Sequence, residues 1–452
     1  MDKLTQRREL GIFDVACVVI GGIIGVGIFF TPGTVAQRTA SPGEMLAAWG
    51  LGGLLAAIGA LVFAELSTRA PGHGGIVRYI HAAFGPLPAF LFGWANWLVI
   101  QAGALGVVAL VLVDHLVLLV AGKDAHLSPD VQVALAIAAM LLFTGTNLLG
   151  LAVGKRVQNA LTVAKVILLA LLALCAFFVT AKAPPAESAP VVGSLGSRLA
   201  SAILPVLFAI GGWQQGSFLA GAARRPQRDV PLGILLGVGI VIVVYLMINI
   251  GYLSLLGFSF MANTQKVGAD AATAVLGEVG GRVFGAMVVI SAAGIMNTIC
   301  MAPPYVLYAM AKEGLFPRAF GTLSKRYQTP VYGVLSQGLW AVLLLLVVHL
   351  LARSSGAAAN NHLGFLCDGV VFVDWLFFML CGLALLLLRR RGGKASFSVP
   401  GGAWLALLFA LGACAVTVGA LLVLPLPSLL GFAIVLLGLP VFWWFRSERR
   451  AS

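Results

Sequence analysis

An all-helical membrane protein with twelve spanning helices, the first and sixth broken at mid-span, is the fold class that three observations predict. The chain has 452 residues, is 60% hydrophobic and 10% charged, and has a mean hydropathy of +1.02; a soluble domain carries about a quarter charged residues. Its apolar runs are long enough to cross a bilayer, which takes roughly 20 residues each. Two of those runs are interrupted by glycines, at Gly21-Gly22-Ile23-Ile24-Gly25-Val26-Gly27-Ile28-Phe29 and at Phe208-Ala209-Ile210-Gly211-Gly212-Trp213.

In chain order the runs lie at about 13–37, 43–68, 84–119, 129–149, 156–181, 198–222, 231–257, 281–311, 331–352, 365–388, 403–423 and 427–445. The first is too long for a signal h-region and lacks a cleavage site, so it is expected to be retained. The connections 182–197, 258–280, 312–330 and 353–364 are too short to fold alone, which makes 1–452 a single transmembrane domain. Spans 1–5 (13–181) and 6–10 (198–388) each begin with a glycine-broken run. That layout predicts a five-helix unit repeated, and an odd number of spans per unit forces the second copy to be inverted. Spans 11 and 12 (403–445) hold no intramembrane charge and are expected at the periphery.

The net charge of +13 reads as topology, not as a nucleic-acid surface. With a cytoplasmic N-terminus, 21 of the 29 Lys and Arg fall on the cytoplasmic side. Seven fall outside (Arg38, Lys123, Lys182, Arg198, Lys266, Arg282, Arg353), and Lys165 lies within a span. The positive-inside bias puts both termini in the cytoplasm, with the chain in the cell inner (plasma) membrane. Cys17, Cys175, Cys300, Cys367, Cys381 and Cys414 sit nearly all inside apolar runs without metal-ligand spacing, as small core residues do. The histidines (His73, His81, His115, His126, His349, His362) lie in loops or at span ends, again without metal spacing. No phosphate-binding loop with its lysine and no nucleophile–base pair is visible. An enzyme, a metal or a cofactor is not expected.

The breaks carry the chemistry. A span that opens midway leaves backbone groups unpaired in hydrocarbon, tolerable only where they line a cavity, and paired breaks in two halves point to a transporter's binding site. In the first, the N–H groups of Val26, Gly27 and Ile28 open a half-helix, whose positive end suits a carboxylate. The carbonyls of Gly22 and Ile23 end the preceding half and suit an ammonium, with Ile24 and Gly25 between. In the second, Phe208, Ala209 and Gly211 supply carbonyls. A zwitterion fits these poles. The rival reading of Gly21-x-x-x-Gly25 is a helix-packing motif, which leaves the second cluster unexplained.

Lys165 lies about ten residues into span 5, roughly 15 Å deep at 1.5 Å per residue. A cation there costs at least ~2.5–3.5 kcal/mol and needs partners; the broken-helix carbonyls and Ser291 or Asn297 of span 8 are candidates. Its ammonium would replace a bound sodium ion or release a proton, or else simply pin span 5. Phe208 is the candidate lid. Either Gln214 or Gln215 is expected to face the ligand side chain, with a hydrogen bond to a neighbouring helix as the alternative. Asp374, embedded in span 10, needs a partner, as a structural acid or a proton carrier. Asp368 and Glu44 lie near span ends, and Glu65 closes span 2 beside cytoplasmic Arg or Lys.

The chain resembles the amino acid–polyamine–organocation (APC) family, nearest its L-type amino acid transporter branch and bacterial homologues. The matching stretches are Gly22 to Phe29, Pro71-Gly72-His73-Gly74-Gly75, Phe84-Gly85-Pro86 and Gly93-Trp94. They continue with Val157-Gln158-Asn159 and Lys165, Phe208 to Trp213, and Met310-Ala311-Lys312-Glu313-Gly314-Leu315-Phe316-Pro317. The resemblance implies the five-plus-five inverted-repeat fold and sodium-independent amino acid transport by exchange or proton coupling. It implies carboxylate binding at Val26 and Gly27, amine binding at the carbonyls of Ile23, Phe208 and Gly211, Lys165 in the sodium ion's place, and Gln214 facing the ligand side chain. Val26 stands where relatives commonly have Ser, Ala222-Ala223 replace a common acidic pair, and Pro303-Pro304 occupy a stretch where relatives often have small or basic residues. The outer loop between spans 3 and 4 lacks the cysteine that tethers a glycoprotein partner in animal L-type transporters, so no disulfide-linked heavy chain is expected.

The function expected is alternating-access transport of neutral L-amino acids, gated by the halves of spans 1 and 6. No acidic side chain is expected beside either break to pair a cationic ligand side chain, and an apolar lining of Ile24, Val26 and Ile210 favours small or aliphatic ligands. A cationic amino acid or polyamine carrier, an amine or organic-anion carrier, and a non-transporting sensor or a channel on the same scaffold are the rivals.

Overall fold

The computed structural model describes residues 8–122, 127–178, 193–355, 359–393 and 395–451. Lys123, His126, Lys182 and most of the connection 182–197 lie outside the described residues, as do the side chains of His362, Cys367 and Asp368. Eleven helices are long and apolar enough to cross a membrane, and the bent pair Ile12–Ile23 and Gly27–Gln37 makes a twelfth. No strand occurs among the described residues beyond one isolated bridge.

Local chemistry sets the ends of these helices. Ser41 accepts from the Glu44 N–H at 3.2 Å while the Glu44 carboxylate accepts from the Ala40 N–H at 2.9 Å, so the start of span 2 (Pro42–Arg69) has its orphan donors satisfied from both directions. Proline opens span 4 (Pro129–Leu148) and span 7 (Pro226–Leu256), positions where its missing N–H costs nothing. Pro303-Pro304 stops span 8 at Met301 and restarts it as Pro304–Lys312.

Three features lie beyond the sequence reading. The link after span 2 folds as a helix, Ile76–Phe84. Span 3 (Pro86–Ala121) contains a π-helical turn at Asn96–Gln101. The connection 258–280 holds two helices, Phe258–Asn263 and Val267–Leu276. Spans 11 (Ala403–Val423) and 12 (Pro425–Phe445) pack on span 10 (Val370–Arg390).

The end of the molecule nearest the N-terminus is closed by main-chain pairing. Ala222 O accepts from the N–H groups of Glu9 (2.8 Å) and Leu10 (3.0 Å), and Arg224 N–H donates to Leu10 O at 2.8 Å. The Ala222-Ala223 departure is thereby accommodated, because this contact uses no side chain. Nearby, Asp14 accepts from Asn159 at 2.7 Å, and Arg78 pairs with Glu313 at 2.8 Å. Gly74 N–H donates to Phe218 O at 3.0 Å. Buried Glu65 is held by Arg69 at 2.7 Å, by Arg389 and by the Val399 N–H at 2.7 Å, as its place at the end of span 2 predicts. His73 is part-buried and stacks on Tyr305, with ring centroids 4.7 Å apart, and desolvation pushes its pKa down to about 4.

Candidate binding site at the two breaks

Span 1 opens where its glycines end the helical ladder. Helix Ile12–Ile23 closes with Ile24 in an extended conformation (φ −71°, ψ 96°), and the second half starts at Gly27 after a bend of 49°. Among the described residues, the N–H groups of Gly25, Val26, Gly27 and Ile28 and the carbonyl of Gly22 have no hydrogen-bond partner. Span 6 opens likewise. Helix Leu195–Ile210 ends at extended Gly211, Gly212 turns the chain at φ +117°, and a short helical turn resumes at Gln215–Phe218.

The two breaks meet backbone to backbone, which is why they need glycine. A Cβ on Gly212 would lie 2.3 Å from Gly22 O, and one on Gly22 would lie 2.9 Å from Gly212 O. The remaining glycines of the first motif do pack against neighbouring spans. A Cβ on Gly21 would lie 1.7 Å from the Gln158 side chain and one on Gly25 2.2 Å from Ile295, so the motif both packs helices and opens span 1.

Lys165, 2% exposed, donates to Ile24 O at 2.6 Å and Gly21 O at 3.3 Å. Ser291 approaches the same edge, donating to Gly25 O at 3.0 Å with Ile24 O at 3.3 Å. A lysine on the carbonyl end of a half-helix sits where the dipole favours a cation. Asn297 belongs to a neighbouring cluster: its amide reaches Asn147, Gly154 O and Gln158 at 2.9–3.0 Å, with no recorded bond to Lys165.

Between the breaks lies a cavity of about 210 Å³. Ile23, Gly25, Val26, Gly27, Phe208, Ala209, Gly211 and Gln214 all line it, whereas Ile24 is buried behind it with its carbonyl on Lys165. Phe208 is 53% exposed, at an open rim rather than folded across. Gln214 and Gln215 both line the cavity, and Gln215 donates to Gln101 at 3.2 Å.

Two lining or bridging residues escaped the sequence reading, and a third, Asp374, was singled out there without a place at the site. Buried Tyr245 of span 7 places its hydroxyl 3.3 Å from Ile23 O and 3.2 Å from Ala209 O, bridging both breaks. Gln101 enters the cavity from the π-helical turn, a feature that recurs at functional sites. Asp374 lines the same cavity. That corrects the inference drawn from the absence of an acid beside either break in sequence: span 10 packs alongside and supplies one in space.

Comparisons with known proteins agree with this architecture. The sequence profile of the amino acid permease family matches residues 10–442. The b(0,+)-type amino acid transporter 1 of Oryctolagus cuniculus is 29% identical over 395 residues, covering 85% of this chain and 76% of the relative. The serine/threonine exchanger SteT of Bacillus subtilis is 27% identical over 452 residues, covering 99% and 98%. The cystine/glutamate transporter of Homo sapiens is 26% identical over 451 residues, covering 98% and 86%. The relatives are transporters and not enzymes, and with its twelve spans and paired breaks the chain belongs to the amino acid permease family of the APC group, a multi-pass membrane protein of amino acid exchange.

Proposed function

We propose that this chain is a sodium-independent, secondary-active carrier of neutral L-amino acids, working by alternating access as an exchanger or with proton coupling. The observation that carries it is the pair of touching breaks, with unpartnered N–H groups at Val26 and Gly27 opposite the free carbonyl of Gly22. Oriented dipoles of this kind bind the two ends of a zwitterion without any charged side chain. The α-carboxylate goes to the start of the second half-helix of span 1. The α-ammonium goes to carbonyls at Gly22, Ile23, Phe208 and Gly211.

Sodium independence rests on Lys165, whose ammonium takes up the carbonyls of Gly21 and Ile24 that a bound cation would use. The names of the relatives, a serine/threonine exchanger among them, support exchange. The half-exposed Phe208 rim and the main-chain pairing of Leu10 with Ala222 and Arg224 support an outward-open state, with Phe208 as the lid. We take residues 13–181 and 198–388 as the two inverted halves. The termini are cytoplasmic in a plasma membrane, and no heavy chain is needed.

Counterflow of labelled alanine into proteoliposomes, with competitors, at two internal pH values and with or without sodium, tests this. Saturable counterflow that ignores sodium is the expected result. A strict sodium requirement, a conductance in place of saturable flux, or no exchange of any amino acid defeats it.

A further inference from the structure

Among the described residues that line the cavity, Asp374 is the one group that carries a formal charge. It is partly buried and shares the lining with Val370, Val371 and Phe378 of its own helix. No hydrogen bond or ion pair engages its carboxylate among the described residues. The contrast with buried Glu65 is sharp, since Glu65 has two arginines and a backbone N–H. A carboxylate in an apolar cavity costs free energy until a counter-charge reaches it, and no basic side chain among the described residues does.

The surrounding amides repeat the imbalance. Gln215 spends its N–H on Gln101, and Gln101 spends its own on Asn96 at 2.9 Å. The buried side-chain oxygens of Gln214 and Gln215 are left without donors. Asp374 thus sets an acceptor without a donor in the cavity lining, and an alkylammonium carries three donors and a positive charge on one flexible stem. The backbone poles of the breaks meet the zwitterionic head, which every α-amino acid shares. Selection among side chains therefore falls to the rest of the lining.

Resting on that reading of the head-group poles, we infer that Asp374 is a specificity-determining residue that admits amino acids with a terminal cationic side chain, pairing directly with the ligand ammonium. The range then spans neutral and lysine-like amino acids, with charge recognition placed in span 10 and head-group recognition in spans 1 and 6. Pairing of an ammonium with a partly desolvated carboxylate is charge-assisted and roughly twice as strong as a neutral hydrogen bond, so its removal discriminates between substrates.

The test uses the purified full chain in proteoliposomes preloaded with alanine or lysine, and reads uptake of labelled lysine and labelled alanine side by side. Wild type is expected to exchange both. Asp374→Asn is expected to lower the lysine-to-alanine ratio at least tenfold, and Asp374→Glu to return it to within threefold of wild type. The inference is overturned by wild type that exchanges alanine and rejects lysine, or by Asp374→Asn with its ratio within twofold of wild type. Equal loss of both solutes in Asp374→Asn, or a lost pH response at an unchanged ratio, overturns it as well and assigns the carboxyl to folding or proton carriage. Wild type that exchanges no amino acid at all defeats the proposed function itself, a result distinct from failure of the lysine arm alone.

Discussion

At the first break the carbonyls of Gly21, Ile24 and Gly25 are taken by side chains of the protein, Lys165 and Ser291. At the second no cationic side chain approaches among the described residues, and Ala209 O meets only the Tyr245 hydroxyl at 3.2 Å. Both are openings in a spanning helix with the same backbone problem. One is stabilised from within on the side away from the cavity, with its N–H groups and Gly22 O left unpartnered among the described residues. The other keeps its polar groups for the cavity and is held in place by its contact with the first. On the alternating-access reading proposed above, an internally neutralised break is a fixed platform, and a bare one is free to change partners as the halves move.

The contact between the breaks is the first thing to remove. Gly212→Ala puts a Cβ about 2.3 Å from Gly22 O at φ +117°, a backbone conformation that costs a non-glycine residue about 1–3 kcal/mol before any clash. Loss of counterflow and a lower melting temperature in detergent are expected. Gly239→Ala, whose Cβ meets nothing within 4 Å, is expected to retain both. Survival of exchange in Gly212→Ala would show that the breaks need not touch.

Lys165→Met comes next. It keeps most of the volume of the stem but strips the cation from the Gly21 and Ile24 carbonyls, and hydrogen bonds to charged groups contribute about 1.5–3 kcal/mol each. Exchange is expected to fall at least tenfold with surface expression maintained. Activity within twofold of wild type would mean that the first break stands without internal neutralisation.

These openings were legible in the sequence because a glycine run inside a hydrophobic span either packs a neighbouring helix closely or opens its own, and two runs in matching spans favour opening. Lys165 was legible because a charge at that depth needs a partner. The cavity wall was less so. Whether Asp374 or Tyr245 faces the site depends on the rotation of spans 10 and 7, and one residue turns a helix by about 100°. Proximity along the chain put no acid beside the breaks, yet span 10 brings one there. The π-helical turn that presents Gln101 has no signature in Asn96-Trp97-Leu98-Val99-Ile100-Gln101 that separates it from α-helix. Main-chain pairing of Leu10 with Ala222 and Arg224 was equally invisible, because any side chains could make it.

Tyr245→Phe sharpens the comparison from the shared edge. The hydroxyl touches Ile23 O of one break and Ala209 O of the other, and its loss removes the bond without opening a cavity. A net hydrogen bond contributes about 0.5–1.5 kcal/mol, so a loss of roughly three- to tenfold in exchange is expected. If the bridge orders the two breaks relative to each other, the half-saturating alanine concentration rises. A pure fall in maximal rate would place Tyr245 in the conformational step instead.

Ser291→Ala is the smallest change and the most specific to the occupied break. Its hydroxyl shares Ile24 O with the Lys165 ammonium and is the one recorded side-chain donor to Gly25 O. Lys165 has three N–H donors and two recorded carbonyl partners, so it can tighten on Ile24 O once the serine leaves, while Gly25 O stands close enough to the cavity to be hydrated. The variant should therefore stay within about threefold of wild type, in keeping with the ~0.5–1.5 kcal/mol of one neutral hydrogen bond. The double variant Lys165→Met/Ser291→Ala measures whether the two donors act as one unit: if they do, its loss matches that of Lys165→Met alone, since the ammonium already governs the first break. A further tenfold drop would show that serine and lysine neutralise that break independently.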